Sequence, residues 1–228
     1  MTKLTLHHVA RAPRKPSGEL SPVIVLLHGV GSNEEDLLGL APALDPRFYV
    51  ISVRAPNVLG AGSFGWYHVE FTPTGFIMDE AEAAVSRDLV VTFVHELKDA
   101  YPIDDRQIYL MGFSQGCIMS LGAALTHPQL FAGIAGMSGR LLDSMMTDMA
   151  PSTELQGLPL IVTHGTRDGV ITIDYGREIR DKLAKLPVAL TYHEYPMAHN
   201  VSEESMKDVS AWLTARLDTT SDWRSPGA

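Results

Sequence analysis

The sequence predicts an α/β fold: a mostly parallel sheet with helices on both faces. Three observations predict it. Short, continuous apolar runs such as "VIVLLHG" (Val23 to Gly29) and "LPLIVTHG" (Leu158 to Gly165) are rich in β-branched residues, as strands buried on both faces are. These runs alternate with segments of helical periodicity along the chain. And 228 residues at 45% hydrophobic composition are enough to bury such a core in one domain.

The elements follow in order. "LTLHHV" (Leu4 to Val9) reads as an opening strand, and Pro13 to Gly18 as a turn. After the strand at Val23, Ser32 with Glu35 three positions on has the form of a capping box opening a short helix. "FYVISV" (Phe48 to Val53) is the next strand. Arg54 to Ile77 is punctuated by Pro56, Gly60, Gly62, Gly65, Pro73 and Gly75 and reads as a loop, long enough to expect a function. A helix spans about Asp79 to Ala100, with Val85, Leu89, Phe93 and Leu97 recurring every fourth residue. "QIYLM" (Gln107 to Met111), "FAGIAGM" (Phe131 to Met137) and "VALTYHEY" (Val188 to Tyr195) read as strands. Helices are expected over Gln115 to Leu125, Ile173 to Leu186 and Ser202 to Leu217. Residues 1–218 are read as a single domain, and 219–228 as a mobile tail.

The formal net charge of −9 argues against non-specific binding to nucleic acid or anionic membrane. The one cysteine, Cys117, excludes an intrachain disulfide and is expected to be a small buried hydrophobe. No apolar run is long enough to insert in a membrane, and the first twenty residues have no signal-peptide pattern. A cytoplasmic location is the expectation. No metal-ligand spacing stands out: His7 and His8, adjacent in a strand, point to opposite faces.

Parallel sheets place ligands at the carboxyl ends of their strands, so residues just beyond each strand carry the functional reading. "GFSQG" puts Ser114 between Gly112 and Gly116 at a strand-to-helix turn. A G-x-S-x-G match occurs by chance in roughly one chain in ten of this length, so its partners decide its meaning. A serine hydroxyl needs a base. His199 lies just beyond the last strand and is the candidate, with His193, inside that strand, as its rival. Asp168, four residues past His164, is the candidate to orient the imidazole; Asp174 and Asp181 are the alternatives, and both look helical. The N–H of Gln115, at a helix N-terminus, and that of Val30, in "HGVG", are the candidate oxyanion donors. Phe64, Trp66 and Tyr67 either line a substrate pocket or form a satellite core under their loop. Met137, Met145, Met146 and Met149 either border an acyl channel or dimer contact or pack in the core. His28 and His164 are expected to fix their loops by hydrogen bonds.

Taken together, "LHGVGSNEEDL", "RAPN", "FGWY", "GFSQG", "THGTRDGVI" and "MAHNV" resemble, in order, the motifs of the small carboxylesterase and acyl-protein thioesterase (phospholipase/carboxylesterase) group of α/β-hydrolases. The resemblance implies an α/β-hydrolase fold and a serine hydrolase without cofactor. It implies the triad Ser114, Asp168 and His199, with oxyanion N–H groups from Val30 and Gln115. It also implies pairing as a homodimer in some members. Ala198 departs from the family's usual Gly, and a negative φ there accommodates it. The segment from Ser138 to Leu158 is too short for the cap domain that larger α/β-hydrolases insert. The expected activity is hydrolysis of small or short-to-medium acyl esters through an acyl-enzyme. Thioester or lysophospholipid hydrolysis with the same triad is the alternative, and a non-catalytic binding module the rival of another class.

Overall fold

The computed structural model describes residues 4–72, 75–219 and 222–224. Eleven strands occur among them: β1 (His8–Arg11), β2 (Ser21–Leu27), β3 (Tyr49–Val53), β4 (Asn57–Gly60), β5 (Ser63–Gly65), β6 (Val69–Thr72), β7 (Gly75–Met78), β8 (Ile103–Phe113), β9 (Gly133–Met137), β10 (Pro159–Gly165) and β11 (Ala189–Tyr195). Five α-helices accompany them: α1 (Glu80–Ala100), α2 (Gln115–Thr126), α3 (Asp143–Thr147), α4 (Ile173–Leu183) and α5 (Glu203–Asp218).

Seven strands form one sheet in the order β1-β3-β2-β8-β9-β10-β11, parallel except for β1, which runs antiparallel to β3. The alternation of side chains along β2 shows why it is apolar throughout. Val23, Val25 and Leu27 enter the core beneath α1, α2 and α4, while Ile24 and Leu26 enter the core beneath α5. Each side chain removed from water in this way contributes about 1.5–3 kcal/mol. The helix α5 is capped as its sequence specifies, with Ser202 Oγ accepting the Ser205 N–H at 3.1 Å. Residues 138–158 hold only α3 and a short 3₁₀ turn, so no cap domain covers the strand ends.

Four local expectations are corrected. Ser32 and Glu35 make no capping box: Ser32 bridges to Phe64, Asn33 Oδ1 accepts the Glu35 N–H at 3.0 Å, and the helix that follows is a 3₁₀ segment, Leu37–Ala43. The opening strand begins later, at His8. The segment after β3 is not loop throughout but two antiparallel hairpins, β4–β5 and β6–β7. On α1 the buried stripe includes Ala83, Val90, Phe93, Val94 and Leu97, so Phe93 and Leu97 of the expected repeat lie in it, while Val85 is 61% exposed. Most of 219–228, read as a mobile tail, lies outside the described residues; Trp223 packs against the core and donates its indole N–H to Phe131 O at 3.1 Å. Met137 and Met145 are buried in the core, and Met146 and Met149 pack against it.

Candidate active site

The strand β8 ends in a turn that holds Ser114 at φ 55°, ψ −119°, a conformation that costs a non-glycine residue of order 1–3 kcal/mol. The flanking glycines explain how so tight a turn fits. A Cβ on Gly116 would lie 1.8 Å from Leu27 O, and one on Gly112 2.1 Å from Gly116 O. The turn is anchored by the Ser114 N–H, which donates to Met137 O on β9 at 2.9 Å.

His199 stands against this serine. Its Nδ1 lies 2.7 Å from Asp168 Oδ2 and its Nε2 3.0 Å from Ser114 Oγ. A carboxylate only accepts, so Nδ1 carries the proton, and Nε2 of the neutral ring accepts from the serine hydroxyl. The Phe113 ring, 4.9 Å from the imidazole between centroids, limits its rotation. Asp168 is fixed in turn: Oδ1 accepts the N–H groups of Val170 and Ile171, both at 2.9 Å. The loop bearing His199 can reach it because β10 ends in Gly165, where a Cβ would sit 2.4 Å from Met197 O. Among the described residues Ser114 and Ser138 are the non-glycines at positive φ, so Ala198 is unstrained.

The loop after β2 closes the other side. Ser32 N–H donates to Gly29 O at 3.3 Å, turning the chain at Val30, and Gly31, at φ 82°, donates its N–H to Phe64 O at 2.8 Å. A Cβ on Gly29 would come 3.3 Å from that of Ser114, so this backbone lies close against the serine. His28 holds the loop from below: Nδ1–H donates to Gly29 O at 2.7 Å and Nε2 accepts the Ala55 N–H at 3.1 Å. Burial lowers the pKa of His28 and of His164, keeping both rings neutral. His164 donates Nε2–H to Ile171 O at 2.7 Å, which steadies the turn carrying Asp168. Burial pushes the Cys117 thiol up to about 12, so it is inert.

Ser114, Val30, Gln115 and Tyr67 line one cleft, together with Ile118, Val170 and Arg140. Of the three aromatics read as pocket-lining, Tyr67 alone borders it among the described residues. Trp66 is fully buried, its indole N–H donating to His28 O at 2.9 Å, and Phe64 lies under the Arg54 guanidinium, 4.5 Å from the ring centroid. His193, Asp174 and Asp181 are not part of this cluster; Asp181 instead pairs with Arg180 at 2.8 Å. Sequence reasoning missed the Gln115 side chain, whose amide binds the Trp66–Tyr67 backbone, and Arg140. The signal for Arg140 was its place three residues beyond β9, the same strand-end rule that found the others.

The family model described as phospholipase/carboxylesterase matches residues 11–217. The chain belongs to that family. It is accordingly a hydrolase of carboxylic esters with an α/β-hydrolase fold. Acyl-protein thioesterase 1 of Yarrowia lipolytica is 27% identical over 208 residues, covering 85% of this chain and 91% of that protein. Lysophospholipase-like protein 1 of Mus musculus is 26% identical over 231 residues, covering 96% of each. The crystal structure of the Bacillus cereus carboxylesterase superimposes with a TM-score of 0.78 at 24% identity, covering 92% of this chain and 94% of that one, a likeness of fold. Among the described residues no group of three or more His, Cys, Asp or Glu side chains could hold a metal, and no helix is long and apolar enough to cross a membrane.

Proposed function

We propose that the protein hydrolyses small or short-to-medium acyl esters through an acyl-enzyme on Ser114. The observation that carries this reading is the hydrogen-bond chain from Asp168 through His199 to Ser114, at 2.7 and 3.0 Å. In this mechanism the Ser114 hydroxyl passes its proton to His199 Nε2 as Oγ attacks the ester carbonyl. The Asp168 carboxylate stabilises the imidazolium that forms. The N–H groups of Val30 and Gln115 meet the developing oxyanion, and a donor of this kind contributes about 2.7–4 kcal/mol to a transition state. His199 then delivers its proton to the leaving alcohol, and a water molecule, activated by the same imidazole, releases the acid. The absence of a cap over the strand ends favours small or extended acyl groups.

Thioesters are the second reading, favoured by the relatives named acyl-protein thioesterases. The same residues serve both, and relative rates on matched oxygen and sulfur esters separate them. The test of the shared mechanism is labelling with a fluorophosphonate probe. Wild type should be labelled and Ser114→Ala should not. Equal labelling of both, or an unlabelled wild type, would refute the assignment.

A further inference from the structure

Arg140 has no part in the acyl-transfer chemistry above, yet it lines the cleft that holds Ser114. We propose that it makes this site selective for esters carrying an anionic group, a carboxylate or a phosphate, close to the scissile bond; the proposal rests on the reading of Ser114 as the nucleophile.

The fold places Arg140 deliberately. Its strand, β9, pairs with β8, Phe113 opposite Met137, so the turns beyond the two strands lie side by side. The β9 turn passes through Ser138 at φ 50° and then Gly139, where a Cβ would come 2.5 Å from Cys117 Sγ on α2. That close approach brings residue 140 to the cleft. The guanidinium is held over the Tyr175 ring, its Cζ 4.3 Å from the centroid. Stacking engages the face of the guanidinium; its five N–H donors lie in the plane, the geometry that meets a carboxylate or phosphate with two parallel bonds.

Around it the lining is apolar or uncharged, including Val30, Ile118, Val170 and Ile171; among the described lining residues Arg140 is the one permanent charge. A cleft for a plain alkyl chain gains nothing from a guanidinium, which costs desolvation beside such residues. The net charge of −9 repels anions at long range, so recognition of one requires a local cation.

The test measures kcat/KM on two pairs of esters. The first pair places the charge on the acyl side: the mono-4-nitrophenyl ester of glutaric acid against 4-nitrophenyl pentanoate. The second places it on the alcohol side: the butanoyl ester of glycerol 3-phosphate against that of glycerol. Wild type should favour the anionic member of at least one pair. Arg140→Gln should lower that anionic-to-neutral ratio at least about tenfold, with Arg140→Lys between the two. The responsive pair identifies where the charge sits. A wild type that prefers the neutral ester in both pairs, or a ratio that Arg140→Gln leaves unchanged in both, overturns the proposal. Fluorophosphonate labelling separates the failures. If the proteins are labelled at Ser114 and the ratios do not move, this proposal alone falls; if wild type is not labelled, the nucleophile assignment falls and this proposal with it.

Discussion

The side-chain amide of Gln115 binds the backbone at Trp66: Oε1 accepts the Trp66 N–H at 2.9 Å, and Nε2 donates to the next carbonyl, Tyr67 O, also at 2.9 Å. One buried side chain on the first turn of α2 thereby fixes the segment that supports the loop after β2 and places Tyr67 on the cleft. Gln115, the residue after Ser114, thus shapes the cleft through its side chain.

Gln115→Ala should therefore leave a buried N–H and a buried carbonyl unpaired, at about 1–3 kcal/mol each. Gln115→Glu should be no better, because a carboxylate facing Tyr67 O replaces a donor with an acceptor. Urea unfolding of both variants measures the loss; a change within experimental error for Gln115→Ala would show that the segment holds itself.

The glycines differ sharply in what they tolerate. Gly116→Ala puts a methyl 1.8 Å from Leu27 O, whereas Gly39→Ala meets nothing within 4 Å. The first should abolish folding or cost more than about 4 kcal/mol, the second should stay within about 0.5 kcal/mol. Thermal melts of the two variants side by side check the contrast.

Ser114 carries backbone strain that glycine would not. Ser114→Gly should raise stability by about 1 kcal/mol, the relief of an unfavourable φ, ψ exceeding the entropy glycine adds to the unfolded chain. Hydrolysis should vanish in the same variant. The pairing of higher melting temperature with lost activity is the expected signature of a strained nucleophile.

Stability should depend on acid through Glu34. Hydrogen bonds from Arg54, one of them 2.6 Å from Nε to Oε2, hold its carboxyl down at about 2, from an ordinary value of 4.5. A carboxyl depressed in the folded state contributes its stabilisation above the unfolded value and loses it as pH falls towards the folded one. Glu34→Gln should thus cost about 2 kcal/mol at pH 7, a figure reduced for the partial exposure of Arg54, and the gap to wild type should narrow steadily below about pH 4.5. Unfolding at pH 7 and pH 3 measures it.

Most of this fold was legible because its strands are buried on both faces. A run such as Val23–Leu27 admits few other readings, and the residues beyond the strands then sort themselves by position. That is why Ser114, Asp168 and His199, far apart in sequence, could be placed together. The hairpins after β3 were not legible: their glycines and prolines signal turns, and strands of three or four residues carry too little periodicity to be seen between them. The same limit hid the fate of Trp66, whose indole N–H finds its acceptor far away in sequence, at His28 O just beyond β2. On α1 the fourfold repeat through Val85, Leu89, Phe93 and Leu97 was a true helical signal that held at Leu89, Phe93 and Leu97 and failed at Val85, because a strict fourfold spacing drifts around a helix of 3.6 residues per turn. Arg140 was passed over for another reason: the strand-end rule reached it, three residues beyond β9, but a single cation after "MSG" has no partner spacing of its own, and its meaning comes from sharing a cleft with Ser114.

The acyl-enzyme itself is the most direct test of the account. Wild-type protein mixed with 4-nitrophenyl butanoate and quenched in acid within the first turnovers should gain the mass of one butanoyl group. Peptide mapping should place that group on Ser114, and Ser114→Ala should gain none. Turnover that proceeds with no acylated protein, or acylation at another residue, would contradict it.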